Sequence, residues 1–113
     1  MIFQYTWQAV LDGRKTQTRR VVKDGEYRKR GWVYTPAGHL KWRVGKTYAV
    51  QPARTRKAIA RIEIAGIRRE RAYAISDADA IAEGFASRSE FLALWEQMHG
   101  GDCDVWVLEF RLT

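Results

Sequence analysis

Three stretches of the chain have the apolar patterns of β-strands. The stretch 58–65 carries an apolar face opposite charged residues, which predicts a half-buried strand. The stretch 103–112 is apolar on both faces, so we predict a central strand. A further strand is expected at 47–51, ending at Pro52 because proline cannot donate to a ladder.

Three other stretches carry apolar residues at helical spacing. The first helix is predicted within 5–11 and ends at Asp12-Gly13, where glycine takes the left-handed conformation without a Cβ clash. A second begins after Ser76, with acids in its first turn, and closes at Glu83-Gly84. A third begins with a capping box at Ser87. Its apolar stripe is predicted to be core: Phe91, Leu94, Trp95 and Met98.

The stretch 23–43 is an intensely basic insertion with two turn signals. Asp24-Gly25 indicates a hairpin turn and 36–38 a second turn, so 26–35 and 39–43 are expected to be paired or extended. Helices and strands do not alternate as βαβ units. We therefore predict an α+β fold, a small β-barrel with flanking short helices, in which 1–113 forms a single domain.

Positive charge is concentrated in the first part of the chain. Residues 1–71 hold 18 of the 20 Lys and Arg residues against 5 acids, whereas 72–113 hold 2 against 8. A basic surface of this kind is typical of proteins that contact nucleic acid, although a solvated face explains the same charges. Five aromatic residues lie among these charges and are candidates either for base stacking or for the core: Tyr27, Trp32, Tyr34, Trp42 and Tyr48.

The small numbers of cysteine and histidine residues argue against disulfide-bonded and zinc-binding proteins. One cysteine excludes an internal disulfide, and two histidines give no cluster with zinc-ligand spacing, so we expect no metal and no cofactor. The chain has no basic leader and no apolar run of membrane-spanning length. We expect a cytoplasmic monomer without a membrane partner.

A polar run, Gly13-Arg14-Lys15-Thr16-Gln17-Thr18-Arg19-Arg20, follows the first helix and is interpreted as the active or binding site. Strand alternation predicts that Thr16, Thr18 and Arg20 share one face while Gln17 and Arg19 point the other way. A solvated edge strand that discourages aggregation explains the same residues. Lys15 is out of phase with Thr18, so the two converge only if the turn at Gly13 re-aims the lysine.

The run from Leu11 to Arg20 resembles the signature of the ASCH domain, a branch of the PUA-like superfamily. Three further segments resemble the family in the same order: 44–52, 75–85 with its closing Ala-Glu-Gly-Phe, and 106–110. The resemblance implies a PUA-like β-barrel with an RNA-related cleft. Small bacterial members are amidohydrolases that deacetylate N4-acetylcytidine, and other members are linked to RNA binding or cleavage. The insertion 23–43 is longer than in the compact hydrolases.

The resemblance also implies the catalytic set Lys15, Thr18 and Glu83, with Arg20 at the closing arginine of the signature. Amide hydrolysis needs a nucleophile, a base and a group that holds the oxyanion, and these residues supply each part. We expect the substrate, a modified nucleoside or RNA, to contact four residues: Arg20, Thr16, Tyr48 and Gln51. Contacts to RNA phosphates are expected from six basic residues: Arg28, Lys29, Arg30, Arg54, Arg56 and Lys57. Those charges explain equally well a solvated hairpin tip and a solvated loop.

Overall fold

Seven strands form two antiparallel sheets in the computed structural model, which describes residues 1–113. The strands are β1 (Gln17–Val21), β2 (Tyr27–Lys29), β3 (Trp32–Tyr34), β4 (Leu40–Arg43), β5 (Thr47–Val50), β6 (Ala60–Arg71) and β7 (Asp104–Leu112). The first sheet has the order β1-β7-β6-β5 and the second has the order β2-β3-β4. The α+β class is confirmed. The ladder of the first sheet ends at β1 and at β5 and does not close into a barrel.

Three helices accompany the sheets: α1 (Trp7–Leu11), α2 (Asp77–Ala82) and α3 (Arg88–His99), with a 3-10 turn at Ala72–Ala74. Both predicted serine caps form, since Ser76 accepts a hydrogen bond from the backbone of Asp79 and Ser87 accepts one from the backbone of Glu90. These caps satisfy amide groups that have no partner inside a helix. None of the helices has both the length and the apolar character needed to span a bilayer.

The central position predicted for the last strand is confirmed, because β7 pairs with β1 on one side and β6 on the other. The strand predicted at 58–65 is too short. Ile62 and Ile64 are buried as expected, but β6 continues to Arg71. Pairing with β7 extends it through a charged stretch, where Arg69 forms an ion pair with Asp104 at 2.6 Å.

The two sheets share a core. Val33 and Trp42 of the second sheet pack against Ile64, Trp106 and Leu108 of the first. The burial of apolar surface at this contact is what holds the basic insertion against the rest of the molecule.

The hairpin predicted at Asp24-Gly25 is wrong. The chain there passes from β1 to β2, which lie in different sheets, and Gly25 has a φ of +80° without flanking ladder pairs. The hairpin turn lies instead between β2 and β3, where Arg30 has a φ of 54°, the left-handed conformation of tight turns. The turn predicted at 36–38 joins β3 to β4.

Candidate active site

A cleft of about 300 Å³ lies along the open edge of β1. Residues from both faces of the strand reach it, namely Thr18 and Arg20 from one face and Arg19 from the other. The remaining walls come from the N-terminal segment 2–6, from the end of α2 and from α3. Thr18 and Arg19 are almost fully buried, so the alternative of a solvated edge strand is wrong.

Lys15 and Glu83 form an ion pair inside the protein at one end of this cleft. The lysine Nζ donates to the carboxylate Oε1 at 2.9 Å and to the backbone oxygen of the same glutamate at 2.8 Å. Lys15 is 4% exposed and Glu83 is 3% exposed. A buried charge is tolerated only when it is paired and hydrogen-bonded, and each of these two has the other as a partner.

Backbone contacts of the polar run explain why these two residues meet. The amide of Lys15 donates to Ala9 at 2.9 Å, and the amide of Thr16 donates to Ala82 at 2.7 Å. Gly84, with a φ of +95°, allows the close approach, since a Cβ there would lie 3.1 Å from the Ala9 side chain and 3.5 Å from the Lys15 side chain. A larger residue at position 84 would be strained by this φ and would crowd Ala9 of α1, next to the lysine.

The turn at Gly13 has the conformation that the sequence required of it, with a φ of +81°. Because β1 begins only at Gln17, Lys15 lies before the strand and is not bound by strand alternation. Lys15 and Thr18 line the same cleft, as the predicted catalytic set requires.

Arg19 is the part of the site that the sequence did not reveal. Its side chain is fully buried, and its guanidinium contacts three carboxylates. Nη1 lies 3.0 Å from Oε2 of Glu83, and Nη2 lies 2.6 Å from Oε1 of Glu70 and 3.1 Å from Oδ2 of Asp79. Both oxygens of Glu83 are therefore held, one by Lys15 and the other by Arg19.

A second arginine closes this network on its solvent side. Arg68 binds Asp79 at 2.7 Å and also Glu109. Gln17 bridges the same groups, donating to Asp79 at 3.1 Å and accepting from Arg19 at 3.0 Å. The only sequence signal for this network is the presence of opposite charges on residues far apart in the chain. The sequence does not say which of these charges pair.

The electrostatics of the cleft lower the pKa of the Lys15 amine below its usual value. Burial is the main cause, and the positive charges of Arg20 and Arg19 add to it, while Glu83 opposes it. Burial also acts to lower the pKa of Arg19, but the carboxylates of Glu83 and Glu70 outweigh it and raise that pKa. Lys15 is thus the cation of the cleft that is most readily made neutral, and a neutral amine is a base.

Arg20 lies on the same wall as Thr18 and is held by the N-terminal segment. Its Nη2 donates to the backbone oxygen of Ile2 at 2.9 Å, and its guanidinium lies 5.1 Å from the ring centroid of Phe3. Its Nε is buried without a protein partner. Burial lowers the pKa of Arg20, yet a guanidinium stays charged at any ordinary pH. The permanent positive charge of Arg20 on the cleft wall is suited to an anionic group bound in the cleft.

The wall of the cleft that α3 forms is apolar, and its position shows that one prediction was incomplete. The stripe on α3 was expected to be core only, and Phe91 and Trp95 are indeed buried. All four of its residues nevertheless line the cleft, and Met98 is 52% exposed. The stripe has two uses because its inner part packs on the sheet while its outer part faces the cleft.

Three of the four residues expected to contact the substrate lie outside the cleft. Thr16 is exposed just before β1, and Tyr48 accepts a hydrogen bond from the backbone of Arg43 at 2.9 Å. Gln51 forms a bridge with Ile2 and binds the backbone of Arg56 at 3.0 Å. Only Arg20 of this set lines the cleft, and the expected substrate contacts of Thr16, Tyr48 and Gln51 stay predictions. The side chains of Tyr48 and Gln51 are thus bonded to backbone groups, whereas Thr16 is bonded through its own backbone to Ala82 and Phe110.

The six basic residues expected to contact phosphates are all exposed, and none lines the cleft. Arg28, Lys29 and Arg30 surround the β2–β3 turn, which matches the solvated hairpin tip. The other three lie in the loop between β5 and β6. No set of three or more His, Cys, Asp or Glu side chains is arranged to hold a metal ion, and the expectation of a metal-free site stays a prediction.

Comparison with known proteins identifies the fold. No protein-family model matches the sequence, and a search of curated proteins finds no significant match. Among solved structures, the ASCH domain of Lactobacillus crispatus aligns with a TM-score of 0.68 at 20% identity, covering 97% of this chain and 74% of that one. A protein of the DUF984 family from Enterococcus faecalis aligns with a TM-score of 0.67 at 18% identity, covering 95% and 69%. At these identities the likeness establishes architecture and not chemistry. The chain with its cleft along β1 therefore has the fold of an ASCH domain.

Proposed function

We propose that the protein is an amidohydrolase that removes the acetyl group from N4-acetylcytidine or a related acylated nucleoside. The observation that carries the proposal is the buried Lys15–Glu83 ion pair in the cleft that Thr18 also lines. The signature resemblance in 11–20 and the ASCH-domain fold support it. Membership of the PUA-like superfamily is part of the same proposal.

Each residue has a role in the proposed reaction. Thr18 Oγ1 attacks the acetyl carbonyl carbon while the neutral Lys15 amine accepts the hydroxyl proton. Arg20 stabilises the negative charge that develops on the carbonyl oxygen. The proton passes from Lys15 to Glu83 along their 2.9 Å hydrogen bond and then to the leaving N4 amine. Water hydrolyses the acetyl-threonine ester, which releases acetate and restores the Thr18 hydroxyl.

The shape of the cleft favours a small substrate. Its volume of about 300 Å³ is at the lower end of the range for ligand sites. One wall is cationic, and the α3 wall is aromatic and apolar, so a flat base can pack on one side while its acyl group meets the polar side. A cleft of this size is large enough for a free nucleoside, so we expect that no RNA polymer is needed for turnover.

The decisive experiment is to incubate the purified protein with N4-acetylcytidine in the presence of EDTA and to follow cytidine by chromatography. Turnover is expected for the native protein and not for Thr18→Ala. Equal cytidine release by the two would sink the proposal. Lys15→Ala is also expected to lose most of kcat, and the double variant with Thr18→Ala should be no worse than either single one, because groups that act as a unit are strongly non-additive.

An RNA-binding function, with or without nuclease activity, is the second candidate. It is favoured by the six exposed cations of the β2–β3 turn and the β5–β6 loop. Substrate size separates the two candidates. A hydrolase with this cleft processes a free nucleoside, whereas a binding module ignores the nucleoside and retains the polymer.

A further inference from the structure

The second sheet has an outer face that is separate from the cleft. Its inner side is the one that packs on the core through Val33 and Trp42. Cross-strand register places the other side chains together on the opposite side, because directly paired residues share a face of a sheet. This outer aromatic face consists of Tyr27, Lys29, Trp32, Tyr34, Leu40 and Arg43.

Two of the three aromatic rings on this face, Tyr27 and Trp32, are exposed, and both lie against the half-buried Tyr34. The rings of Tyr27 and Tyr34 are stacked, with centroids 5.3 Å apart and planes at 19°. Trp32 lies 6.2 Å from Tyr34 and is 46% exposed, while Tyr27 is 41% exposed. Large aromatic side chains grouped at the surface indicate an interaction site more often than scattered ones do.

Charge on and around this face has a single sign. Residues 27–46 contain six Lys and Arg residues and no Asp or Glu. Two of the cations, Lys29 and Arg43, lie in the same cross-strand row as Trp32. The neighbouring acid, Glu26, is buried, and its carboxylate accepts hydrogen bonds from Lys41 and Trp106. The face therefore combines π surfaces with uncompensated positive charge.

We propose that the outer aromatic face binds single-stranded RNA, with bases stacked on Trp32 and on the Tyr27–Tyr34 pair and with phosphates held by Lys29 and Arg43. Aromatic platforms beside cations are how proteins bind single strands without reading sequence. A duplex offers no free base to stack and fits the face less well. The choice of RNA over DNA rests on the proposed function, because the proposed substrate is a ribonucleoside.

The test uses a fluorescently labelled RNA of roughly ten nucleotides and measures binding by anisotropy over a range of salt concentrations. Trp32→Ala is expected to weaken binding about tenfold at every salt concentration, because stacking is not screened by ions. The slope of log affinity against log salt should stay unchanged. Trp32→Phe keeps a ring, and its RNA affinity should lie within a few-fold of that of the native protein. Its melting temperature tests whether this variant is folded.

Leu112→Ala is the matched control, since Leu112 is 43% exposed at the end of β7 and does not belong to the face. It should leave RNA affinity unchanged. Native affinity in Trp32→Ala, or equally tight binding of an RNA duplex, overturns the proposal. Tighter binding of single-stranded DNA of the same sequence overturns the assignment to RNA.

Hydrolysis of free N4-acetylcytidine by the same variants keeps this inference distinct from the proposed function. Trp32→Ala should leave nucleoside turnover unchanged, because the outer aromatic face does not line the cleft. If Trp32→Ala loses RNA affinity but the native protein does not hydrolyse the nucleoside, the hydrolase proposal alone is refuted. Turnover with RNA affinity that is independent of Trp32 would refute the outer aromatic face alone.

Discussion

Arg19 and Glu83 form an ion pair inside the protein, with Nη1 of the arginine 3.0 Å from Oε2 of the glutamate. Lys15 holds the other oxygen at 2.9 Å. Two cations from the same short run thus fix one carboxylate from the end of α2. The glutamate cannot rotate without losing a charged partner in a buried site, so its orientation toward the cleft is set before any ligand arrives.

Replacement of Arg19 by methionine should destabilise the protein by about 3–5 kcal/mol, the scale for breaking a buried pair and leaving a charge uncompensated. The free energy of unfolding in urea measures it. Arg68→Met is the matched control, since Arg68 is 38% exposed and also contacts Asp79. Its loss should be about 0–1 kcal/mol, as for exposed pairs. Equal losses in the two variants would show that the buried pair has no special importance.

The pH dependence of turnover should report Lys15. The proposed base is the neutral amine, so kcat/KM should rise with pH through the pKa of Lys15, which burial moves below its usual value. Lys15→Arg keeps the positive charge but cannot be deprotonated, and it should remove the rise together with most of the activity. A rising profile that survives in Lys15→Arg would assign the titration to another group.

The exposed end of the α3 stripe should contribute to substrate binding. Met98→Ala removes apolar wall from the cleft and should raise KM several-fold with kcat little changed, a loss of about 1 kcal/mol that ground and transition states share. Ile81→Ala is the control, since Ile81 is 58% exposed and does not line this cleft. Steady-state kinetics on N4-acetylcytidine make the comparison. A fall in kcat with KM unchanged in Met98→Ala would contradict this role.

Acid stability should depend on Glu26, which links the two sheets by accepting from Trp106 Nε1 at 3.1 Å. Burial acts to raise the pKa of this carboxyl, but hydrogen bonds from Lys41, the Lys23 backbone and Trp106 outweigh it and lower the pKa. A lowered folded-state pKa means that the stabilisation is present above the unfolded value of about 4.3 and is lost as pH falls through the folded value.

The Glu26→Gln variant should therefore be less stable by about 1–3 kcal/mol at neutral pH, and the difference should shrink in acid. Urea unfolding at several pH values tests this. A difference between the two proteins that is the same at every pH would contradict a charged role for Glu26.

The β5–β6 loop should contribute to RNA affinity through charge alone. Counterion release makes log affinity fall with log salt by roughly 0.7 per phosphate neutralised on a single strand. Replacing Arg54, Arg56 and Lys57 together by glutamine should make the slope shallower by about 2 and leave nucleoside hydrolysis nearly intact. An unaltered slope would show that these three charges are only a solvated face.

Local sequence determined most of the elements in this chain, because each signal acts within a few residues. Ser76 and Ser87 cap their helices as predicted, since a serine hydroxyl reaches the amide three residues on. The last strand is central, since an element that is apolar on both faces must be covered on both. The convergence of Lys15, Thr18 and Glu83 on one cleft was likewise expected, but from the resemblance of the run 11–20 to a known signature and not from local rules.

Tertiary structure decided what depends on pairing between distant residues. Strand β6 extends to Arg71 because β7 supplies hydrogen bonds and carboxylates 33 to 41 positions away, which no local pattern reports. Strand alternation predicted only that Arg19 lies on the face opposite Thr18, and the fold placed Glu70, Asp79 and Glu83 around it. The spacing of the α3 stripe is that of core residues, and only the packing of α3 beside the open edge of β1 makes the same stripe a wall of the cleft. Sequence patterns record which side of an element is apolar, whereas the neighbour that covers it, or leaves it open, is chosen by the free energy of the whole fold.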